Sequence, residues 1–250
     1  RLHGNGKYPV DDDFHPQLTT PESIEALQSL IDASKHLDPS TKKNGLFDNF
    51  KSYAEGNKYC NIGWGGTQKL LTSDSSKISG DLSHGLLPGG KDSQGNVYQT
   101  PYFNWGWNYV VLKKSKNTEL AYLFTLFASL PQVSTAAVQQ RDGFFDPYQV
   151  SHFDDELIKD TYTEGFLQIQ KNSLENCMPD FHVIAQERYQ RILSEAVYAA
   201  DRNLMSAEQA LQFTSIKWQQ ITDEVGRDSQ RQQWRFLKGL YPDNLTRVLS

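Results

Sequence analysis

Residues 102–127 read Tyr-Phe-Asn-Trp-Gly-Trp-Asn-Tyr-Val-Val-Leu-Lys-Lys-Ser-Lys-Asn-Thr-Glu-Leu-Ala-Tyr-Leu-Phe-Thr-Leu-Phe, and this stretch decides the fold class. Its middle, Trp107 to Leu112, combines aromatic and β-branched residues in the strongest strand pattern of the chain. Ser115-Lys116-Asn117 then starts a helix with Leu120, Leu123, Phe124 and Phe127 on one apolar stripe. A strand that feeds a helix is the unit of an α/β protein. Helix signals surround it. Thr20 caps a helix that opens on Pro21, and Ile24, Leu27, Leu30 and Ile31 follow at helical spacing. Phe47 to Glu55 is a second amphipathic piece, and a short helix is predicted near Gln68–Leu71. After Pro131 the chain reads as mostly helical, with helices over Asp154–Gln170, His182–Ala200, Ser206–Glu224 and Ser229–Lys238. Ser206 and Gln209 form a capping box. Tyr59–Ile62 and Asp81–Leu87 are the other strand candidates, so the predicted class is α/β and helix-rich.

Length and charge narrow the function. A chain of 250 residues makes one or two domains. Thirty acidic against 25 basic residues give a net charge of −5, the wrong sign for displacing counterions from nucleic acid. Aromatic residues make up 12% of the chain, which argues against disorder. The apolar run Leu120–Leu130 is too short and too interrupted for the roughly 20 residues of a membrane span. Cys60 and Cys177 have no framework spacing, so no bond between them is predicted. Arg1 opens the sequence with no signal segment behind it, which reads as a mature, trimmed or partial chain.

Most chemical motifs dissolve on inspection. Gly85-Leu-Leu-Pro-Gly-Gly-Lys-Asp92 nearly spells a phosphate-binding loop, but Asp92 stands where Ser or Thr is needed and no helix follows, so a turn is predicted. His3, His15, His36, His84, His152 and His182 have no zinc-ligand spacing. Asp11-Asp12-Asp13 lacks the rest of a calcium loop and reads as a solvated acidic turn. No Gly-x-Ser-x-Gly elbow occurs. Asp154, Asp155 and Glu156 could be read as a glycosidase pair, but a helix start accounts for them better. No metal or cofactor is expected. Two aromatic–glycine clusters remain: Gly63-Trp64-Gly65-Gly66 and Tyr102 to Tyr109. Tryptophan beside glycine and asparagine suits a sugar ring, whose C–H face stacks while its hydroxyls hydrogen-bond. Tryptophans buried in a core fit these residues equally well.

Several segments, in order, resemble the type 1 extracellular solute-binding proteins of ABC transporters, the sugar-binding group related to maltose-binding protein. They are Val10 to Leu18 with Thr20-Pro-Glu-Ser-Ile-Glu-Ala-Leu27, Phe50 to Gly56 before Trp64, and Gly85 to Gly90. Trp107 through Ser115-Lys-Asn117 and Glu119-x-Ala121 follow, then Gly143 to Ser151 and Pro179-Asp180. The C-terminal matches are Ser206 to Leu211, Trp218, Ile221-Thr-Asp223 and Gly226-Arg227-x-x-Gln230. Where the family loop often carries Arg after Asp-Pro-x, this chain has Gln149, which makes a charged ligand less expected.

The resemblance implies a periplasmic-binding-protein-like two-lobe architecture with an incomplete first lobe. Residues 1–80 and 134–250 would form the second lobe and residues 81–133 a segment of the first. It implies capture of a neutral sugar, oligosaccharide or polyol without chemistry, delivery to a transporter permease, and a periplasmic or extracellular location, either free or lipid-anchored. The residues it points to are Trp64, Asn104, Trp105 and Trp107, with Asp146, Gln149 and Glu187. A helical carbohydrate-active enzyme fragment and a non-catalytic docking protein are the rival readings. The resemblance also implies that residues 81–133 are covered by protein outside this sequence: a missing N-terminal half, a second chain or a swapped copy.

Overall fold

The structure is a computed structural model that describes residues 1–102 and 108–250, with Lys42 described by its backbone only. In chain order its helices are α1 (Pro21–Ser34), α2 (Leu46–Ala54), α3 (Gln68–Leu71), α4 (Thr118–Ala128), α5 (Pro131–Gln139), α6 (Glu156–Tyr162), α7 (Glu164–Glu175), α8 (Gln186–Asp201), α9 (Ala207–Val225), α10 (Arg227–Lys238) and α11 (Asp243–Thr246). An antiparallel hairpin of β1 (Gly90–Lys91) and β2 (Val97–Tyr98) is the sheet among the described residues. The chain divides into two compact units. One holds Arg1–Pro39, Leu86–Asn104 and Asn176–Ser250; the other holds Ser40–Gly85 and Trp105–Glu175.

In the first unit, α8 and α9 pack along each other, and α1 and α10 lie against α9. The helix starts are as the sequence predicts: Thr20 accepts the Ser23 N–H at 3.3 Å, and Ser206 accepts the Gln209 N–H at 3.1 Å. Phe181 stacks on both Phe14 (5.8 Å between centroids) and Trp218 (5.3 Å), while Tyr189 meets Trp218 edge-on. Several buried polar groups are matched, while Tyr8 Oη, Arg231 Nε and Trp234 Nε1 are buried without a partner among the described residues. The Trp218 indole donates to the Tyr189 carbonyl at 3.0 Å. Gln230, fully buried, clamps Ile184: its Nε2 donates to the carbonyl at 2.9 Å and its Oε1 accepts the N–H at 3.1 Å.

The acidic run Asp11–Asp13 is more than a solvated turn. Asp11 Oδ1 accepts the N–H groups of Asp13 and His15, which closes the loop on itself. Asp13 pairs with Arg231 at 2.8 Å and Asp12 with Lys238 at 2.6 Å, while Arg227 donates to the carbonyls of Asp13 and Phe14. The run is thereby an electrostatic latch onto the basic face of α10, whose spacing the sequence reading did not connect to it. The glycines of Gly85-Leu-Leu-Pro-Gly-Gly90 serve close packing. A Cβ at Gly89 would lie 2.0 Å from the Tyr98 carbonyl oxygen, and one at Gly90 1.8 Å from that of Gly4.

In the second unit, Val138, Ile158, Tyr162, Phe166 and Leu167 form the core, with Phe153 packed against it. The single helix expected over Asp154–Gln170 is two, because Thr163 takes φ +67° and breaks the run between α6 and α7. Asp155 caps α6, accepting the Ile158 N–H at 3.0 Å and the Gln139 amide. That carboxylate is committed to holding structure, as a helix start requires.

Three expected strands do not form. Tyr59–Ile62 is irregular and in no strand, with Tyr59 fully exposed and Cys60 at the surface. Asp81–Leu87 has no ladder partner, and pairing begins only at Gly90. Of Trp107–Leu112, the described residues 108–112 are in no strand. Cys60 and Cys177 form no disulfide.

Candidate functional site

Trp64 stands at the start of the 3-10 turn Gly65–Thr67, which runs into α3. The glycines around it are needed for close approach. A Cβ on Gly66 would lie 2.5 Å from the Phe144 carbonyl oxygen and 2.9 Å from Trp64 Cζ2. Without one, the indole folds back over its own turn and the loop at 144–150 closes against it. Trp64 stacks on Phe144 at 5.8 Å and 26°, and Phe47 from α2 meets Phe144 edge-on at 5.5 Å. Phe144 is 45% exposed and Phe47 48%, with Trp64 half-buried, so the aromatic shelf of three rings reaches solvent chiefly through the phenylalanines.

The indole is held in place from below. Trp64 Nε1 donates to Asp146 Oδ2, and Asp146 Oδ1 is sealed from solvent without a partner among the described residues. The Gly65 backbone explains how close the groups are: a Cβ there would lie 3.1 Å from Asp146 Oδ1, 3.2 Å from Gln170 Oε1 and 3.0 Å from Phe166 Cζ. Asp146 Oδ1 and Gln170 Oε1 thus both border the space over Gly65. Burial raises the Asp146 carboxyl to about 6, against the opposing pull of the indole N–H and of Lys69.

Lys69 is buried. Its Nζ donates to the carbonyls of Val138 and Gln140 at 2.7 and 2.6 Å, satisfying the C-terminal end of α5, and lies 5.0 Å from the Tyr162 ring centroid. Burial lowers it to about 8. Gln68 Oε1 meets His84 Nε2 at 3.0 Å, and the Nε2 atoms of Gln68 and Gln170 are buried and unpartnered among the described residues.

The loop that carries Asp146 is itself pinned. The Tyr162 hydroxyl donates to the Phe145 carbonyl. His152 is fully buried; its Nδ1 faces the N–H groups of Tyr148 (3.3 Å) and Gln149 (3.4 Å), and its Nε2 faces the Ser134 hydroxyl at 3.3 Å. Two backbone donors on Nδ1 require the neutral ring with its proton on Nε2. Gln149, half-buried, ends this loop before the 3-10 turn Val150–Phe153.

Of the residues singled out from sequence, Trp64 and Asp146 are brought into contact, and Gln149 lies on the same loop as Asp146. Glu187 belongs to the other unit, exposed in the first turn of α8. Asn104, Trp105 and Trp107 lie outside the described residues. Phe47, Phe144, Lys69 and Gln170 were missed. The signal for the first two was available: Phe47 sits on the apolar stripe of α2, and Phe144 adjoins the Asp-Pro pair of its loop.

No protein-family model and no curated protein matches the chain. Solved structures do match its fold. Maltose-bound MalE3 of T. maritima superposes with a TM-score of 0.74 at 17% identity, over 88% of this chain and 55% of that one. A ribitol complex of an ABC transporter solute-binding protein from Agrobacterium radiobacter K84 gives the same TM-score at 18% identity, with the same coverage. A D-mannitol complex from Agrobacterium vitis S4 gives 0.67 at 18% identity, over 90% of this chain and 57% of that one. The fold is that of solute-binding proteins, and the chain spans little more than half the length of these structures.

Proposed function

We propose that this chain is part of a solute-binding protein that captures a neutral sugar or polyol for an ABC importer outside the cytoplasm. The observation that carries the reading is the aromatic shelf of Trp64, Phe144 and Phe47, open to solvent and locked by the Trp64–Asp146 hydrogen bond. A pre-set flat apolar face takes the C–H face of a sugar at little ordering cost. Asp146 acts as a positioning residue, since its free oxygen is sealed away and its other oxygen holds the indole. Gln149 and the exposed Tyr148, on the loop that bears Phe144, supply neutral hydrogen-bonding groups for hydroxyls. Asn104, Trp105, Trp107 and Glu187 complete the proposed ligand set. The lobe assignment of residues 1–80 and 134–250 against 81–133, the permease partner and the absence of catalysis belong to the same proposal. The ligands of the fold neighbours, maltose, ribitol and D-mannitol, set the first panel.

The test is titration of the protein with these three compounds and with a charged sugar acid, followed by calorimetry and tryptophan fluorescence. The reading expects saturable binding of at least one neutral compound, a fluorescence change, recovery of the ligand unaltered, and no binding of the acid. Turnover of the ligand, or preference for the acid, would overturn it.

A further inference from the structure

The two oxygens of Asp146 are unequally provided for. Oδ2 accepts the Trp64 indole N–H, while Oδ1 is sealed from solvent and has no partner among the described residues. A buried negative charge normally has donors on both oxygens, and this one does not. The groups on neighbouring elements leave the gap open. Lys69 of α3 attracts the carboxylate, but its Nζ is committed to the carbonyls of Val138 and Gln140. Tyr162 of α6 gives its hydroxyl proton to the Phe145 carbonyl. Gln170 of α7 is neutral, and its Oε1, an acceptor, borders the same space over Gly65 as Oδ1. His84 lies against Phe166, holds Gln68 Oε1, and is kept below its usual range by burial. On the loop itself, neutral His152 is engaged by backbone N–H groups and by Ser134. The rings of the shelf are tied to this carboxylate. Trp64 is joined to it by the hydrogen bond, and Phe144, stacked on Trp64, precedes it by two residues.

We infer that solute capture on the shelf is coupled to uptake of a proton by Asp146, so that the site binds more tightly in acid than in alkali. The inference rests on the solute-binding reading and adds its regulation. A sugar or polyol stacked on Trp64 and Phe144 displaces water from the rings and makes the surroundings of the attached carboxylate less polar. That penalises the charged form and spares the neutral one. The proton comes from solvent and sits on Oδ1. Oδ2 keeps a lone pair for the indole, so the shelf stays locked, and the new O–H enters the space that Gln170 Oε1 borders. Burial already holds the carboxyl at about 6, where a modest change of pH alters its charge. A ligand that raises it further binds with full affinity below that value and loses affinity as the pH climbs through the raised one. Coupling is reciprocal: if the ligand strengthens proton binding about tenfold, the proton strengthens ligand binding by the same factor.

Two measurements test it. Without ligand, the Trp64 indole N–H resonance, identified by its absence from Trp64→Phe, is expected to move with pH around a midpoint near 6 and to stay fixed in Asp146→Asn. With maltose, ribitol and D-mannitol, calorimetry at pH 6.5 in phosphate and in imidazole, buffers of different ionisation heat, reads the protons taken up. The parent is expected to take up protons with any compound that binds, and D146N none. From pH 5 to pH 8 the parent's affinity should fall about tenfold, and that of D146N, whose amide imitates the neutral acid, should hold steady. Where D146N does not fold, the parent's resonance and proton uptake decide the matter. An indole resonance that ignores pH, or binding without proton uptake, overturns the inference and leaves the solute-binding reading standing. So does an unchanged pH dependence in D146N, which would assign the effect to His84 or His152. Failure of all three compounds to bind at any pH overturns both.

Discussion

Replacing Asp146 with Asn should stabilise the protein at pH 8 and do nothing at pH 4. Burial raises this carboxyl from 3.8 to about 6 in the folded chain. A carboxyl raised on folding favours the native state fully below its unfolded value, and that advantage is lost as the pH rises through about 6. Some two pH units at 1.36 kcal/mol each put the cost of the ionised form on the order of 3 kcal/mol at pH 8. Asparagine removes the charge and keeps an acceptor for the Trp64 indole. Its amide also brings a donor into the space over Gly65 that Asp146 Oδ1 and Gln170 Oε1 border. For a chain of this size 1 kcal/mol moves the melting point by about 2–4 °C, so a gain of about 6–12 °C is the ceiling at pH 8. Melting curves of both proteins at pH 4 and pH 8, read by circular dichroism, give the answer. Ligand-dependent tryptophan fluorescence should survive in D146N and fade in D146A, which loses the indole's acceptor. If D146N melts lower than the parent at pH 8, the buried ionised carboxylate is no cost to the fold and the reasoning fails.

Gly66→Ala forces a Cβ to within 2.5 Å of a backbone oxygen, so the shelf must shift; a loss of about 1–3 kcal/mol in urea unfolding is expected, with weaker ligand binding. Gln230→Leu keeps the volume but strips Ile184 of both backbone partners, and should cost about 2–4 kcal/mol by the same measurement, leaving the shelf intact. His152 is lowered by burial from 6.5, so the stability it lends is present above that value and lost as the pH falls through its lowered folded value. A urea midpoint that drops between pH 7 and pH 5 in the parent, and drops less in His152→Gln, would bear this out; identical slopes would count against it.

Helices were legible where caps and periodicity are local. Thr20-Pro21 and Ser206-x-x-Gln209 carry their own hydrogen bonds, so nothing distant was needed to place α1 and α9. The break at Thr163 was not legible, because a positive φ at a β-branched residue is imposed by the packing of α6 and α7 and has no signature in composition. The latch between Asp11–Asp13 and α10 joins residues more than two hundred positions apart, and no spacing rule reaches that far. At the site, the pairing of tryptophan with glycine at 63–66 was visible, and its reason is now physical: the indole needs the room that Gly66 leaves. Asp146 stood out only through the resemblance. Its contact with Trp64 spans 82 positions and could not be read from either segment alone.

The strands show the other limit. A helix closes its hydrogen bonds within itself, but a strand is completed by a neighbour, so a strand pattern is in effect a statement about two segments. At 59–62 and 81–87 the pattern is weak and the residues are wet, and there the sequence reading was simply mistaken. At 108–112 the pattern is strong and the chain packs its Tyr109 against the helix that follows, yet these residues pair with no strand among the described residues. Exposed side chains at 59–62 sit beside charged and polar neighbours, while those at 108–112 continue into a helix with apolar residues on two sides. Fully burying a Leu or Phe is worth roughly 1.5–3 kcal/mol, so Leu120, Leu123, Phe124 and Phe127 together rival the whole stability of an ordinary domain, about 5–15 kcal/mol. A misread strand pattern alone would explain the missing strand at 108–112 and leave the exposure of α4 without a cause.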